Sequence, residues 1–437
     1  MWLERLKSGL LVLFVALSIY LSLLLWEGMP PVEAPAPDLP TGGTYWGAGR
    51  DPISLLAPSR LVFYPGEGAP TLLYPGSSYF QKAWEAALDV LQQLGSLKPE
   101  ELTGEKRSRR EWETAFKGPA VELIFPVAIT GDIWGPVLDY PPDFKLPWPV
   151  KRVVFLPSRQ PALLLVGGGN DEALGLRIPR APAALTSILE ELEKMPRASY
   201  RELKPPLPVQ AGVYVPAQPV SLPVLRVSGE AVNPEVVAGS FFADLSLTRR
   251  IHERDGAIIF SDGRRGVRVA PEGSVEYSAP EVALGGTFLP AQALERAARF
   301  VTQHGGWPEE ARAAALTPVS TAAGAYWRLA FNQYLEGLPV LTPSIEIELT
   351  DRGIGRYRRK VLQEEMHVGW VKVSADKLEE QILSAGRLKK GDRVADAFLA
   401  YSIDAGPDGE ALLRPVWAVE TAAGDEFWLP AEGGDRS

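Results

Sequence analysis

The sequence predicts an α+β protein: an N-terminal transmembrane helix, then a mixed α/β first domain and two units that each set a helix against an antiparallel sheet. Three observations lead there. Ser8 to Trp26 is an uninterrupted uncharged run. Beyond it, amphipathic stretches with a 3.6-residue apolar period alternate with short apolar strands bounded by Gly and Pro. In the second half of the chain the order helix, then hairpins, occurs twice.

The run SGLLVLFVALSIYLSLLLW would rise about 28 Å as a helix, close to the thickness of a hydrocarbon core. Arg5 and Lys7 precede it and Glu27 follows it, which leaves the N-terminus in the cytoplasm and sends the bulk of the chain outside. The run is long for the apolar part of a signal peptide, and prolines surround any small-residue cleavage point, so the expectation is a retained single-pass anchor in the cell membrane. Leu11, Val15, Ser18 and Ser22, at spacings of four, three and four, form a candidate helix-contact face within the bilayer; the alternative is that the serines are merely tolerated there. Residues 1–27 are therefore read as anchor with a short cytoplasmic start. Residues 28–44, with Pro30, Pro31, Pro35, Pro37 and Pro40, are read as an extended spacer.

A first ectodomain is expected over 45–207. In QKAWEAALDVLQQLG, Trp84, Ala87, Leu88, Leu91 and Leu94 share one helical face and Gly95 can end the helix. VELIF (121–125), RVVFL (152–156) and ALLLV (162–166) read as strands. A second helix carries Leu185, Ile188, Leu189 and Leu192 on one face and stops before Pro196. The Pro-rich Lys204 to Gln210 closes the region. A middle α+β domain follows over 208–336, where Asp255-Gly256, Asp262-Gly263 and Glu272-Gly273 punctuate short strands as hairpin turns. Its helix carries Leu294, Ala297, Ala298 and Val301 inward and ends at Gly305-Gly306. In the long strand after it, Trp327, Leu329 and Phe331 point one way. A C-terminal α+β domain, 337–437, begins with IEIEL at Ile345 to Leu349. KLEEQILSAG then reads as a helix, and AFLAYSI, LLRPVWAV and EFWL as strands.

The chemistry to be expected is narrow. A net charge of −9 opposes general nucleic-acid binding, which needs a cationic surface. The absence of Cys removes disulfides, thiolate metal sites, thiol nucleophiles and lipidated cysteine. His252, His304 and His367 stand too far apart for a histidine-pair metal motif, so no metal is expected. His304 falls at a predicted helix end, where a cationic ring would complement the dipole; the other two read as surface residues. Gly167, Gly168 and Gly169 follow a strand, but Glu172 occupies the third glycine position of a dinucleotide loop, so a tight turn is expected and no cofactor. Asp404, Asp408 and Gly409 begin like a calcium loop, yet Gly406 and Pro415 occupy ligand positions. Gly76-Ser77-Ser78 and Gly239-Ser240 suit turns or helix starts. Adjacent acids such as Glu364-Glu365 and Glu379-Glu380 cannot face each other across a substrate. Two basic runs, Lys106/Arg107/Arg109/Arg110 and Arg356/Arg358/Arg359/Lys360, are either solvated surface or a meeting point for an acidic partner. No catalytic residue is assigned, and the chain is expected to bind rather than to catalyse.

Several segments resemble the YycH family of membrane-anchored extracytoplasmic proteins. They are the opening LERLKSGLLVLFVALSIYLSLLLW, FFADLSLTRRIHERDGAIIFSDGRRGVRV with VEY after it, AARFVTQHGGWP, YLEGLPVL before IEIEL, and RPVWAV. The first ectodomain matches least, apart from ELIFP and KRVVF. The resemblance implies a single anchor and two β-rich units like those of the sister protein YycI. It implies as partners YycI and the WalK sensor histidine kinase of a two-component system that governs cell-wall metabolism, with the anchor helix touching kinase helices.

Two other functions compete with that regulator. One is a cell-wall or ligand-binding surface protein without a kinase partner, using exposed Trp307, Trp417 or Trp428 to stack on sugars. The other is an extracytoplasmic hydrolase, which requires a polar pocket with clustered carboxylates.

Overall fold

The computed structural model describes residues 7, 14, 17, 49–94, 104–109, 111, 118–140, 146, 148–157, 162–167, 172–178, 183–195, 197–283, 285–322, 324–406 and 410–431. The expected membrane span, apart from residues 14 and 17, lies outside them, as do its contact face Leu11, Val15, Ser18 and Ser22 and the spacer 28–44. Among the described residues no helix is long and apolar enough to cross a membrane. Met1–Gly42 and Gly43–Ser437 are separate compact units, and every sheet below belongs to the second.

Its first part runs α1 (Pro52–Leu55), β1 (Arg60–Tyr64), β2 (Thr71–Leu73), α2 (Ser78–Leu94), β3 (Gly104–Ser108), β4 (Ala120–Ile129), α3 (Gly131–Val137), β5 (Val150–Leu156), β6 (Ala162–Gly167), β7 (Glu172–Arg177) and α4 (Ala183–Lys194). The strands form one seven-stranded sheet in the order β2-β1-β4-β5-β6-β7-β3. Every pairing is antiparallel, so this part is α+β in kind where a mixed α/β domain was expected. VELIF, RVVFL and ALLLV lie in β4, β5 and β6 and are buried on both faces for most of their length, which is why they read as continuous apolar runs. The 3.6-residue period is met as well. Trp84, Ala87 and Leu91 of α2 and Leu185, Ile188, Leu189 and Leu192 of α4 are buried in the same core.

Next come β8 (Tyr200–Glu202), β9 (Tyr214–Pro216), β10 (Val220–Gly229), α5 (Pro234–Phe241), β11 (Arg249–His252), β12 (Ile258–Ser261), β13 (Gly266–Val269), β14 (Val275–Ser278), α6 (Pro290–Gln303), β15 (Ala311–Thr321), β16 (Gly324–Leu335), β17 (Leu338–Pro339), β18 (Ile345–Thr350) and β19 (Gly353–Arg359). Nine of these strands form a sheet in the order β11-β12-β13-β14-β19-β18-β16-β15, with β17 on β16. Gly256, Gly263 and Gly273 hold φ of 87°, 91° and 80°, the left-handed backbone that their hairpin turns demand. Pro234 opens α5, and the Asn233 side chain accepts the N–H groups of Glu235 and Val236, a cap that fixes where the helix starts. The inward residues of α6 (Leu294, Ala297, Ala298 and Val301) pack with Leu329, Phe331, Ile345 and Ile347. Gly305 and Gly306, at φ 125° and 71°, follow the helix end and let the chain reverse.

The last part is β20 (Leu362–Val373), α7 (Leu378–Ser384), β21 (Val394–Ala405), β22 (Ala411–Thr421) and β23 (Glu426–Pro430). With β10 these strands make a five-stranded sheet in the order β20-β10-β22-β21, with β23 on β22. Strand pairing thus crosses residues 336 and 337 in both directions. β10 sits between β20 and β22, while β18 and β19 complete the nine-stranded sheet. The second core, around Leu378, Ile382, Tyr401, Leu413 and Trp417, lies against this third sheet. Where the two sheets approach, a Cβ on Gly229 would stand 1.7 Å from the Glu272 carbonyl oxygen, and one on Gly273 1.8 Å from that of Glu230. Only glycine permits that approach.

Candidate interaction surface

Most residues singled out in the sequence are absorbed into structure. His304 does stand at the end of α6, but it is buried and its ring stacks on Phe241 at 4.1 Å, with Nδ1 3.0 Å from the Ser240 hydroxyl. Burial, with the nearby Arg265, pushes its pKa down to about 3, so it is a neutral core residue and not the cationic cap expected. Gly239-Ser240 lie inside α5, not at its start. His252 and His367 are exposed. Gly168, Gly169, Asp408 and Gly409 lie outside the described residues. Trp307 and Trp417 are buried, which removes them as sugar-stacking platforms; Trp428 is 62 % exposed.

The basic runs are dispersed. Arg107 pairs with Glu105 at 2.6 Å, Lys106 lies over the Trp148 ring, and Arg109 is buried against Glu122 at 2.8 Å; Arg110 lies outside the described residues. Arg359 is buried too, 2.6 Å from Glu230 and donating to the carbonyls of Gly305 and Gly306. Arg356 and Arg358 point from β19 into an open groove of about 630 Å³ on the outer face of the nine-stranded sheet. Arg268, Glu276, Arg358 and Glu346 stand opposite one another across β13, β14, β19 and β18. Arg356, Glu348 and Arg328 do the same one step along. Charges alternate in sign across the strands, so each arginine is neutralised by its neighbours.

A second charge network is internal. Arg60 on β1 pairs with Asp396 on β21. Arg152 on β5 donates to the Gly212 carbonyl (2.7 Å) and the Ala395 carbonyl (3.1 Å), and stands 3.3 Å from Glu122. Glu122 also accepts from Arg109 and the Tyr64 hydroxyl, and Lys151 reaches Glu420 on β22 at 3.0 Å. Burial alone would raise both acids. Arg109, Arg152 and the Tyr64 hydroxyl overcome it at Glu122, and Arg60 and Arg152 at Asp396, so both carboxyls stay below their usual range. These bonds fasten the first sheet to the third.

One surface is left over. β20 is an edge strand, and Met366 (49 %), Val368 (41 %) and Trp370 (64 %) are exposed on it. The strand's charged residues and bulges oppose ladder pairing with another chain, which leaves the exposed side chains of Met366, Val368 and Trp370 as the contact it offers. Two bulges leave Glu365 and Val368 without a partner on β10. The result is that Glu364, His367 and Trp370 pair with alternate β10 residues, Val227, Leu225 and Pro223, and so share one face. There His367 Nε2 lies 3.0 Å from Glu364 and 3.6 Å from Glu336, with its ring edge-on to Trp370. The three form the one group among the described residues with converging potential metal ligands, within 4.8 Å of one another; imidazole plus carboxylates is a donor set that zinc accepts. Spacing hid this cluster. Residues three apart fall on opposite faces of a regular strand, and Glu336 belongs to the turn between β16 and β17.

The fold is YycH-like. The solved structure of YycH from Bacillus subtilis superposes with a TM-score of 0.62 at 14 % identity, covering 88 % of this chain and 98 % of that one. A protein from Eubacterium rectale matches with a TM-score of 0.36 at 11 % identity, over 55 % of this chain and 93 % of that one. The YpeB C-terminal domain of Bacillus megaterium gives 0.29 at 15 %, over 47 % and 95 %. No family model and no curated protein sequence matches the chain.

Proposed function

We propose that the chain is a membrane-anchored extracytoplasmic regulator that binds a WalK-like sensor histidine kinase and a YycI-like sister protein, and so modulates two-component signalling of cell-wall metabolism. The observation that carries the reading is the YycH-like fold over 88 % of the chain. Two contact regions are assigned to it: the anchor face Leu11, Val15, Ser18 and Ser22 against kinase transmembrane helices, and the exposed β20 strand, with Met366, Val368 and Trp370, against a partner ectodomain. A regulator of this kind acts through its differential affinity for two kinase states, and a few kcal/mol of difference suffices to redistribute them.

The test exchanges residues 8–26 for an unrelated transmembrane segment and reads a reporter of the response regulator in cells. Loss of regulation with the ectodomain still folded is expected; unchanged output sinks the proposal. Trp370→Lys should separately reduce co-purification of the partner ectodomain.

A further inference from the structure

The loop between α7 and β21 reads Gly386-Arg387-Leu388-Lys389-Lys390-Gly391-Asp392-Arg393, four cations and one carboxylate in a chain whose net charge is −9. Most of it, together with Pro208 and Leu383, lines an open cleft of about 480 Å³, within the size range of small-molecule sites. Its charges are not neutralised in the way those on the outer face of the nine-stranded sheet are. Lys389 meets Asp425. Asp392 faces the backbone: its Oδ1 accepts the N–H groups of Arg393 (2.8 Å) and Ala423 (3.2 Å). Arg387, Lys390 and Arg393 are exposed, and among the described residues no carboxylate pairs with them. The contrast with Arg358, which stands between Glu276 and Glu346 on the neighbouring strands, is direct.

The wall of the cleft is apolar. Leu383 is 50 % exposed, Leu388 is half-buried, and Pro208 completes that side. Unpaired cations at the rim with exposed aliphatic surface beneath suit an anion that carries an apolar part. Arginine and lysine together favour phosphate, which accepts the guanidinium fork and the ammonium point charge at once. We propose that this cleft binds a phosphate-bearing ligand, with Lys390 and Arg393 holding the phosphate and Leu383 meeting the apolar portion. The site is independent of the kinase-regulator reading and involves neither the anchor nor β20.

Isothermal titration of the full chain in non-ionic detergent tests it, with dihexanoyl-phosphatidylglycerol, dihexanoyl-phosphatidylcholine and glycerol 1-phosphate as probes. Phosphatidylglycerol should bind and phosphatidylcholine, whose phosphate is internally neutralised, should not. Replacing Lys390→Ser and Arg393→Ser should weaken binding about 5-fold for each cation removed. Both side chains are exposed, so the fold is not at stake. If Leu383→Ser weakens phosphatidylglycerol and leaves glycerol 1-phosphate unchanged, the ligand is a lipid headgroup with its chain. If glycerol 1-phosphate binds as well as the lipid, the source is a free phosphate and the site stands. Absence of binding by both phosphate probes, or the same affinity in the double variant, overturns the proposal.

Discussion

The interior network around Glu122 and the outer rows of the nine-stranded sheet are made of the same side chains, arginine and carboxylate, and differ in what surrounds them. Glu122, Arg109 and Arg152 are almost completely buried, whereas Arg358, Glu346 and Arg328 keep a large part of their surface in water. Outside, water solvates whichever charge is left behind when a partner is lost. Inside nothing does, so each charge depends on the others. The difference implies separate roles: the interior network locks the first sheet to the third in one arrangement, and the outer rows keep a broad sheet face soluble without fixing anything.

Breaking the interior network should produce the largest effect. Glu122→Ala leaves Arg109 and Arg152 buried without their acid, and a loss of about 3–5 kcal/mol is expected in urea unfolding at pH 7. Replacing Glu122, Arg109 and Arg152 together by Met should cost less than the single change, because Asp396 keeps Arg60 and no charge is stranded, the remaining loss coming from the Gly212 and Ala395 carbonyls that Arg152 served. If the triple variant loses as much as the single one, the network is net attractive and its role as a mere lock is wrong.

The next effect is a pH dependence with a different origin. Among the described residues no acid pairs with His304; burial holds its folded pKa near 3, below the ordinary unfolded value of about 6.5. The fold therefore favours the neutral ring. Stability from this site is complete above pH 6.5 and is lost as pH falls from there toward 3, by about 2 kcal/mol between pH 7 and pH 5. The depressed carboxyls of Glu122 and Asp396 act in the same direction but at lower pH, below the ordinary unfolded carboxylate range of about 4. His304→Gln should flatten the curve between pH 7 and 5 and leave the acid limb. A wild-type curve that is already flat there would show that His304 gains protons without unfolding.

How far the sequence foretold these features follows from the range of the interactions. Local periodicity was legible: the buried faces of α2, α4 and α6, the glycine turns at 256, 263 and 273, and the strands VELIF, RVVFL and ALLLV all depend on neighbours within a few residues. The pairing of β10 with β20 and β22 was not, because nothing local in Val220–Gly229 tells it which distant strand it will meet. Charge was misread for the same reason. Arg109 and Arg359 sit in basic runs and look solvated, yet their partners, Glu122 and Glu230, lie 13 and 129 positions away. Trp307 and Trp417 were misjudged because an aromatic residue in a strand carries no mark of the face it will take. The Glu336, Glu364 and His367 cluster depends on two bulges, which a regular period of two cannot anticipate. The expected anchor run, Ser8 to Trp26, lies almost wholly outside the described residues.

The smallest expected effect is the one that separates the two networks most cleanly. Glu346→Gln or Glu348→Gln removes one member of a cross-strand pair that water can replace, so each should cost under about 1 kcal/mol. The cost should also fall in 0.5 M NaCl, where exposed charges are screened over a few ångströms. Glu122→Ala, measured in the same salt, should cost as much as before, because ions do not reach the interior. If Glu346→Gln proves as damaging as Glu122→Ala, and equally indifferent to salt, the outer rows are structural locks too and the groove they line is more rigid than its exposure implies.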